Sequence, residues 1–214
     1  MLSVRGIGVV LTGLLLAGCM QSGPVFDANF TTRDRLQLAK PPYQQAWIPP
    51  AYQRQVVQYY RKEAPGSIVV DTDARYLYYV LPEGRAIRYG AIVGEDGQAW
   101  SGVATVGRKE EWPGWTPTEG EKRRLGPLPN YVEGGARNPM GARALYLYAG
   151  GKDTLYRIHG TNQPEYIGHA ISSGCIRLTN EDVIDLYDRV KMGALVVVLG
   201  SGARVASADV SHLN

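Results

Sequence analysis

The sequence predicts a mainly β fold, a sandwich of mixed and antiparallel sheets with a few short helices, one of them directly after the segment that carries Cys175. Three observations lead there. Short runs rich in Val, Ile and Tyr recur through the middle of the chain, punctuated by Gly, Pro and Asp. A clear amphipathic helix pattern follows position 179. With 214 residues, 44% of them hydrophobic and 20% charged, the chain holds enough apolar material for one well-buried core.

Residues 1–18 read as an export signal. Arg5 supplies the positive start, and Gly6 to Leu16 form an apolar run too short for a comfortable membrane span. The run ends in Leu16-Ala17-Gly18-Cys19, which resembles a lipobox, so that Cys19 is expected to be acylated and to head the mature protein. Met20 in place of an aspartate points to outer-membrane sorting and a location on the periplasmic side of the envelope. Residues 19–49 lack sustained periodicity and carry Pro41-Pro42 and Pro49-Pro50, the composition of a flexible tether.

Residues 50–63 place Tyr52, Val56, Val57 and Tyr60 at helical spacing behind a proline, which predicts a leading helix ended by Pro65-Gly66. Strands are expected at 67–71, 76–81, 86–93 and 100–106, with Gly94-Glu95-Asp96-Gly97 as a hairpin turn between the last two. Residues 109–143 form a long irregular stretch, of the kind that tends to carry function. The sheet resumes at 144–149 and 155–158, and the second run delivers the chain to His159. A helix capped by Thr179, with Asp182 at its third position, lines Val183, Ile184, Tyr187 and Val190 along one face. Residues 194–199 make a buried strand, and 201–214 read as a frayed tail. The 14 tyrosines against 2 phenylalanines leave hydroxyls at the edge of much of the aromatic surface, for sheet packing or for sugar stacking.

With Cys19 lipidated, Cys175 is left without a disulfide partner in an oxidising compartment. His159 lies 16 residues before it. A thiol is a poor nucleophile until deprotonated, and an imidazole within reach can remove that proton and return it to a leaving amine. Gly174 lets backbone approach a substrate, and amides beside Cys175 can stabilise an oxyanion. By spacing alone an inert buried cysteine is the default. His169 reads as a solvated loop residue and His212 as part of the tail. Three histidines and no Cys/Asp/Glu cluster at ligand spacing argue against a metal centre, and no glycine loop for a phosphate cofactor is present. A formal charge of +3 without a long basic run argues against nucleic acid as partner.

The segment His159-Gly160-Thr161-Asn162 … Ser172-Ser173-Gly174-Cys175-Ile176-Arg177 resembles the signature of the L,D-transpeptidase (YkuD-type) catalytic domain. The resemblance runs from about Pro65 to Gly200 and includes Asn138-Pro139-Met140-Gly141. It implies that Cys175 is the nucleophile and His159 its base, with the Gly160 carbonyl orienting the ring and Gly174 and Cys175 amides as the oxyanion site. Arg177 is implied either as loop support or as a substrate carboxylate anchor, with Ser173 beside it on the substrate side. Ser173 stands where many members carry a second histidine. The implied substrates are peptidoglycan stem peptides, cleaved at a tetrapeptide's terminal D-alanine. The acceptor is a second stem, an amine of an outer-membrane protein or water, and no cofactor is implied. A wall-binding scaffold without turnover and a cysteine peptidase on stem peptides are the rival readings.

Overall fold

The computed structural model describes residues 29–95, 100–203, 205 and 207–209. Cys19 and the expected export signal at residues 1–18 lie outside them. Twelve strands and three α-helices are described. The main sheet has ten strands, in the order β10-β8-β7-β6-β11-β2-β3-β4-β1-β12. These are β1 (Gln55–Tyr59), β2 (Ile68–Asp71), β3 (Tyr76–Leu81), β4 (Arg85–Gly90), β6 (Gly102–Glu111), β7 (Arg143–Ala149), β8 (Lys152–His159), β10 (Ile176–Arg177), β11 (Leu195–Val198) and β12 (Ser207–Asp209). The pairing is mostly antiparallel, with β11 parallel to β2 and β10 parallel to β8. A small parallel pair, β5 (Val93–Gly94) with β9 (Ala170–Ser172), stands beside it.

Strand alternation sorts the side chains between two cores. Ile68 and Val70, Leu77, Tyr89, Leu145 and Leu147, Ile158, Ile176, Val196 and Val198 join the larger one. Val69, Tyr78 and Val80 point the other way, into a second cluster with Val57 and Tyr59. The larger core closes on α3 (Asn180–Arg189), which is gripped by polar tips from several strands. The Tyr89 hydroxyl donates to Asp185 at 2.6 Å, Tyr79 to the Arg189 carbonyl at 3.1 Å, and Lys109 Nζ to the carbonyls of Tyr187 and Val190 at 2.6 and 2.7 Å. Strands far apart in the sheet thus meet the same helix, so the sheet curls around it.

The helix after Cys175 starts as the sequence predicts, with the Thr179 side chain accepting from the Asp182 N–H. Four other expectations are corrected. Residues 50–63 form a 3-10 turn at Pro50–Tyr52 followed by β1, not a helix. Val57 and Tyr59 are buried while Val56 and Tyr60 are exposed, a period of two that suits β-branched residues pairing with β4. The strands on either side of the expected hairpin turn do not pair with each other: β4 lies between β1 and β3, and β6 between β7 and β11. Residues 96 and 97 of that turn lie outside the described residues.

Within the described residues, the segment expected as a flexible tether is packed on the domain. Thr31 and Asp34 form a reciprocal capping box that starts α1 (Thr32–Leu38), and Phe30 and Leu38 are buried in the main core. The tail is not simply frayed, because Val205 is buried in the second core and β12 pairs with β1. Within the long stretch 109–143, β6 continues to Glu111 and a short helix, α2 (Glu119–Leu125), begins at a second capping box, Thr118 with Glu121.

Candidate active site

His159 ends β8 and Cys175 immediately precedes β10, and the parallel pairing of these two strands brings the pair together across 16 residues of sequence. The register sets Ile176 beside Ile158 and Arg177 beside His159, and the Leu178 N–H closes the ladder on the His159 carbonyl at 2.9 Å. Alternation then fixes the faces. Ile158 and Ile176 enter the core, while His159 and Arg177 share the opposite face, and extending the pattern back places Cys175 there with Arg157. A backbone hydrogen bond from Arg157 to the thiol agrees with that placement.

The histidine is buried, at 4% exposure, and its Nδ1 lies 2.7 Å from the Gly160 carbonyl oxygen. A carbonyl only accepts, so Nδ1 carries the hydrogen toward Gly160, and a backbone hydrogen bond to Met140 also favours a protonated ring. Burial, helped by the Arg177 charge, pushes His159 down from 6.5 to about 3. Burial pushes the Cys175 thiol up, against the Arg157 backbone hydrogen bond and the charges of Arg177 and Arg157. Both groups are therefore neutral at rest near pH 7.

The cysteine loop is built by Ser172. Its Oγ donates to the Cys175 carbonyl at 2.6 Å and accepts from the Gly174 N–H at 3.1 Å. Gly174 has φ +114°, a backbone that disfavours a side chain. The Gly174 amide is thus directed at Ser172, not outward to an oxyanion. Arg177 is tied through its backbone to Ile92, by hydrogen bonds of 2.8 and 2.9 Å. Its Nε is buried without a hydrogen-bond partner, and burial lowers the guanidinium's proton affinity. The Ser173 hydroxyl contacts Arg124 of α2, which brings that helix over the loop, and the Glu121 charge acts on both Cys175 and Arg177. His169 is exposed and sits edge-on to Tyr166, away from the pair.

Two buried amides brace the histidine's surroundings: Asn138, from the loop already singled out in the sequence, and Asn180, which the sequence did not single out. Asn138 donates to the carbonyls of Pro113, Val132 and Glu133 at 2.9 to 3.1 Å and accepts from the Met140 N–H at 2.8 Å. Asn180 accepts from the Ala142 N–H and donates to the Thr161 carbonyl, at 2.8 and 2.9 Å. A Cβ on Gly141 or on Gly160 would run into Asn180 and into the other glycine's backbone, so two bare backbones cross there. The Asn138-Pro139-Met140-Gly141 loop was the one signal pointing to this crossing. Among the described residues no group of three His, Cys, Asp or Glu is placed to hold a metal.

The L,D-transpeptidase catalytic domain profile, YkuD, matches residues 65–198, which contain every element of this site. The chain belongs to the YkuD family. Relatives of this YkuD chain include the probable L,D-transpeptidase ErfK/SrfK of Escherichia coli strain K12, 39% identical over 142 residues, which are 62% of this chain and 44% of that protein. The probable L,D-transpeptidase YbiS of the same strain is 37% identical over 139 residues, 61% of this chain and 43% of its own. The chain thus spans less than half the length of these relatives. In fold it resembles the solved Ldtfm-avibactam carbamoyl enzyme, with a TM-score of 0.50 at 23% identity over 65% of this chain and 50% of that one. A structure described as a probable carnitine operon oxidoreductase CaiA from Brucella melitensis is 47% identical over 71% of this chain and 96% of its own, with a TM-score of 0.47. That description belongs to that protein and is not carried over.

Proposed function

We propose that this YkuD domain is a peptidoglycan L,D-transpeptidase that works through a Cys175 thioester. The observation that carries the reading is the β8–β10 register, which sets Cys175 on the face of a histidine whose Nδ1 is held by Gly160. His159 Nε2 takes the thiol proton as Sγ attacks the carbonyl of the third, diamino-acid residue of a tetrapeptide stem. The C–N bond to the terminal D-alanine breaks, and the imidazolium returns the proton to the departing amine. An acceptor amine then attacks the thioester, loses a proton to His159, and releases the Cys175 thiol. An amine of a second stem gives a 3→3 cross-link, and an amine of an outer-membrane protein gives a tether between envelope layers.

The oxyanion is served by the Cys175 amide, since the Gly174 amide is engaged by Ser172. Arg177, with its buried and unpartnered Nε, is the substrate-carboxylate anchor, and Ser173 with Arg124 lies on the substrate side of the loop. The apolar run and Leu16-Ala17-Gly18-Cys19 support a periplasmic lipoprotein anchored in the outer membrane through acylated Cys19.

Mass spectrometry of the protein with disaccharide-tetrapeptides tests the reading. A thioester on Cys175, D-alanine release and cross-linked dimers are expected. Shortened stems without dimers indicate hydrolysis instead, and a labelled, reactive thiol with no D-alanine release overturns the proposal.

A further inference from the structure

Asp34 lies on α1, outside the stretch matched by the family, yet its side chain is wholly buried inside the domain. Its carboxylate accepts from Arg143 Nη1 and Nη2 at 2.8 and 2.7 Å, and from Trp112 Nε1 at 2.8 Å. The Thr31 N–H and hydroxyl occupy its remaining acceptor positions at 2.9 and 2.8 Å. Burial alone would raise its proton affinity, but the hydrogen bonds from Arg143 and Thr31 prevail and hold it below the usual carboxylate range. It is an anion paired to a cation that is itself only 1% exposed.

This pair sits one residue from the histidine's support. The Arg143 carbonyl accepts from the Gly160 N–H at 3.1 Å, and the Gly160 carbonyl holds His159 Nδ1. Arg143 Nη1 also donates to the Ala142 carbonyl at 2.9 Å, which receives the Trp112 N–H at 2.7 Å. Trp112 has φ +44°, unfavourable for a bulky residue, so its indole bond to Asp34 and its backbone bond to Ala142 keep it there. A second branch comes from the same N-terminal segment. The Tyr43 hydroxyl accepts from Asn180 Nδ2 at 2.8 Å, and Asn180 binds Ala142 on one side of Gly160 and Thr161 on the other.

We infer that two side chains from outside the family-matched stretch, Asp34, through Arg143 and Gly160, and Tyr43, through Asn180, are positioning residues that hold His159 in its working orientation. The inference rests on the reading of His159 as the base. A buried ion pair adds little stability over apolar side chains of similar volume, whereas a bidentate guanidinium fixes the direction of its own backbone. Orientation is therefore what this pair supplies and an apolar pair would not.

The test uses the full chain and D-alanine release from disaccharide-tetrapeptides between pH 3 and pH 9. Asp34→Leu with Arg143→Met replaces the pair without leaving a buried charge, and Tyr43→Phe removes one hydrogen bond from the second branch. The double variant is expected to lower kcat at least about tenfold with KM within about twofold. Its acid limb moves up by about one pH unit or more, as a loosened His159 becomes hydrated. Tyr43→Phe moves both quantities less, in the same directions. Leu36→Ser, on the exposed face of the same helix, leaves both unchanged. Folded variants with wild-type kcat and pH profile, even at a lower Tm, overturn the inference. Should the double variant not fold, Tyr43→Phe decides it alone by the same readouts. His159→Ala in parallel separates the two failures. If it retains turnover, the assignment of the base fails. If it loses turnover while the positioning variants do not, only the present inference fails.

Discussion

The Gly160 carbonyl accepts from His159 Nδ1 at 2.7 Å, so the residue directly after the histidine sets its tautomer. A backbone carbonyl cannot be removed by side-chain substitution, and this orienting role is therefore built into the strand's exit rather than into a third side chain. His159→Gln keeps a polar side chain of similar length but provides no base. It is expected to lower D-alanine release by about 10²–10⁴-fold, measured in steady state with Tm checked alongside.

Acid stability follows from the same ring. His159 binds its proton near pH 3 when folded and near 6.5 when unfolded, because burial, then the Arg177 charge, disfavours the imidazolium. Between these values the unfolded chain holds the extra proton. The contribution is complete above 6.5 and is lost as pH falls toward 3, at up to about 1.4 kcal/mol per pH unit. Urea unfolding at pH 7, 5 and 4 should show this slope in the wild type and a shallower one in His159→Gln. Parallel curves would count against it.

Raised thiol affinity gives a second pH signature. Alkylation of Cys175 by iodoacetamide in the free protein should lack an inflection near neutrality and rise only above the ordinary thiol value of 9.0, because burial opposes the thiolate. A plateau reached by pH 7 would show a resting ion pair instead.

Ser172→Ala strips two loop hydrogen bonds at once, leaving the Cys175 carbonyl and the buried Gly174 amide to find other partners. A loss of about 1–3 kcal/mol is expected from denaturant unfolding. Turnover should fall more steeply than in a Ser173→Ala variant, since the Ser173 hydroxyl contacts the Arg124 side chain rather than the loop's own backbone.

Gly141→Ala tests the crossing of bare backbones. Gly141 has φ +64° and its added methyl would meet Gly160 and Asn180. The backbone strain alone is about 1–3 kcal/mol, and the overlap adds to it. Calorimetry should show a lower Tm together with reduced turnover, and an unchanged Tm would remove the crossing as a constraint.

Arg177→Gln removes a cation whose Nε is buried without a partner. An anchoring role predicts a KM about tenfold higher or more, with kcat little changed. Loss of folded protein without a change in KM would return Arg177 to loop support.

The features legible in the sequence were those whose signal is local. Thr179, Asp182 and the apolar face behind them announce α3 because a capped amphipathic helix is written within about four turns of chain. Strands β2, β3, β7 and β11 were equally plain, their Val, Ile and Tyr runs being bounded by turn residues. Residues 50–63 mislead because Tyr52, Val56, Val57 and Tyr60 fall at helical spacing while Val57 and Tyr59, two apart, equally fit a strand's buried face, and pairing with β4 decides for the strand. Residues 31–38 misled for the opposite reason. Only Leu36 and Leu38 are apolar there, and α1 is held in place by a carboxylate whose partner is 109 residues away.

Local sequence already names the chemistry this protein has available, a thiol and an imidazole in a specific signature, together with the class of fold that carries them. How they are held emerges on folding. Faces and registers arise from pairing between strands distant in sequence, and no local pattern encodes which carbonyl meets which amide. Asp34 shows the limit most directly. A buried carboxylate has to find a charge and every hydrogen bond it accepts, and the residues that supply them, Arg143 and Trp112, become its neighbours only once the sheet has curled and α1 has packed on it.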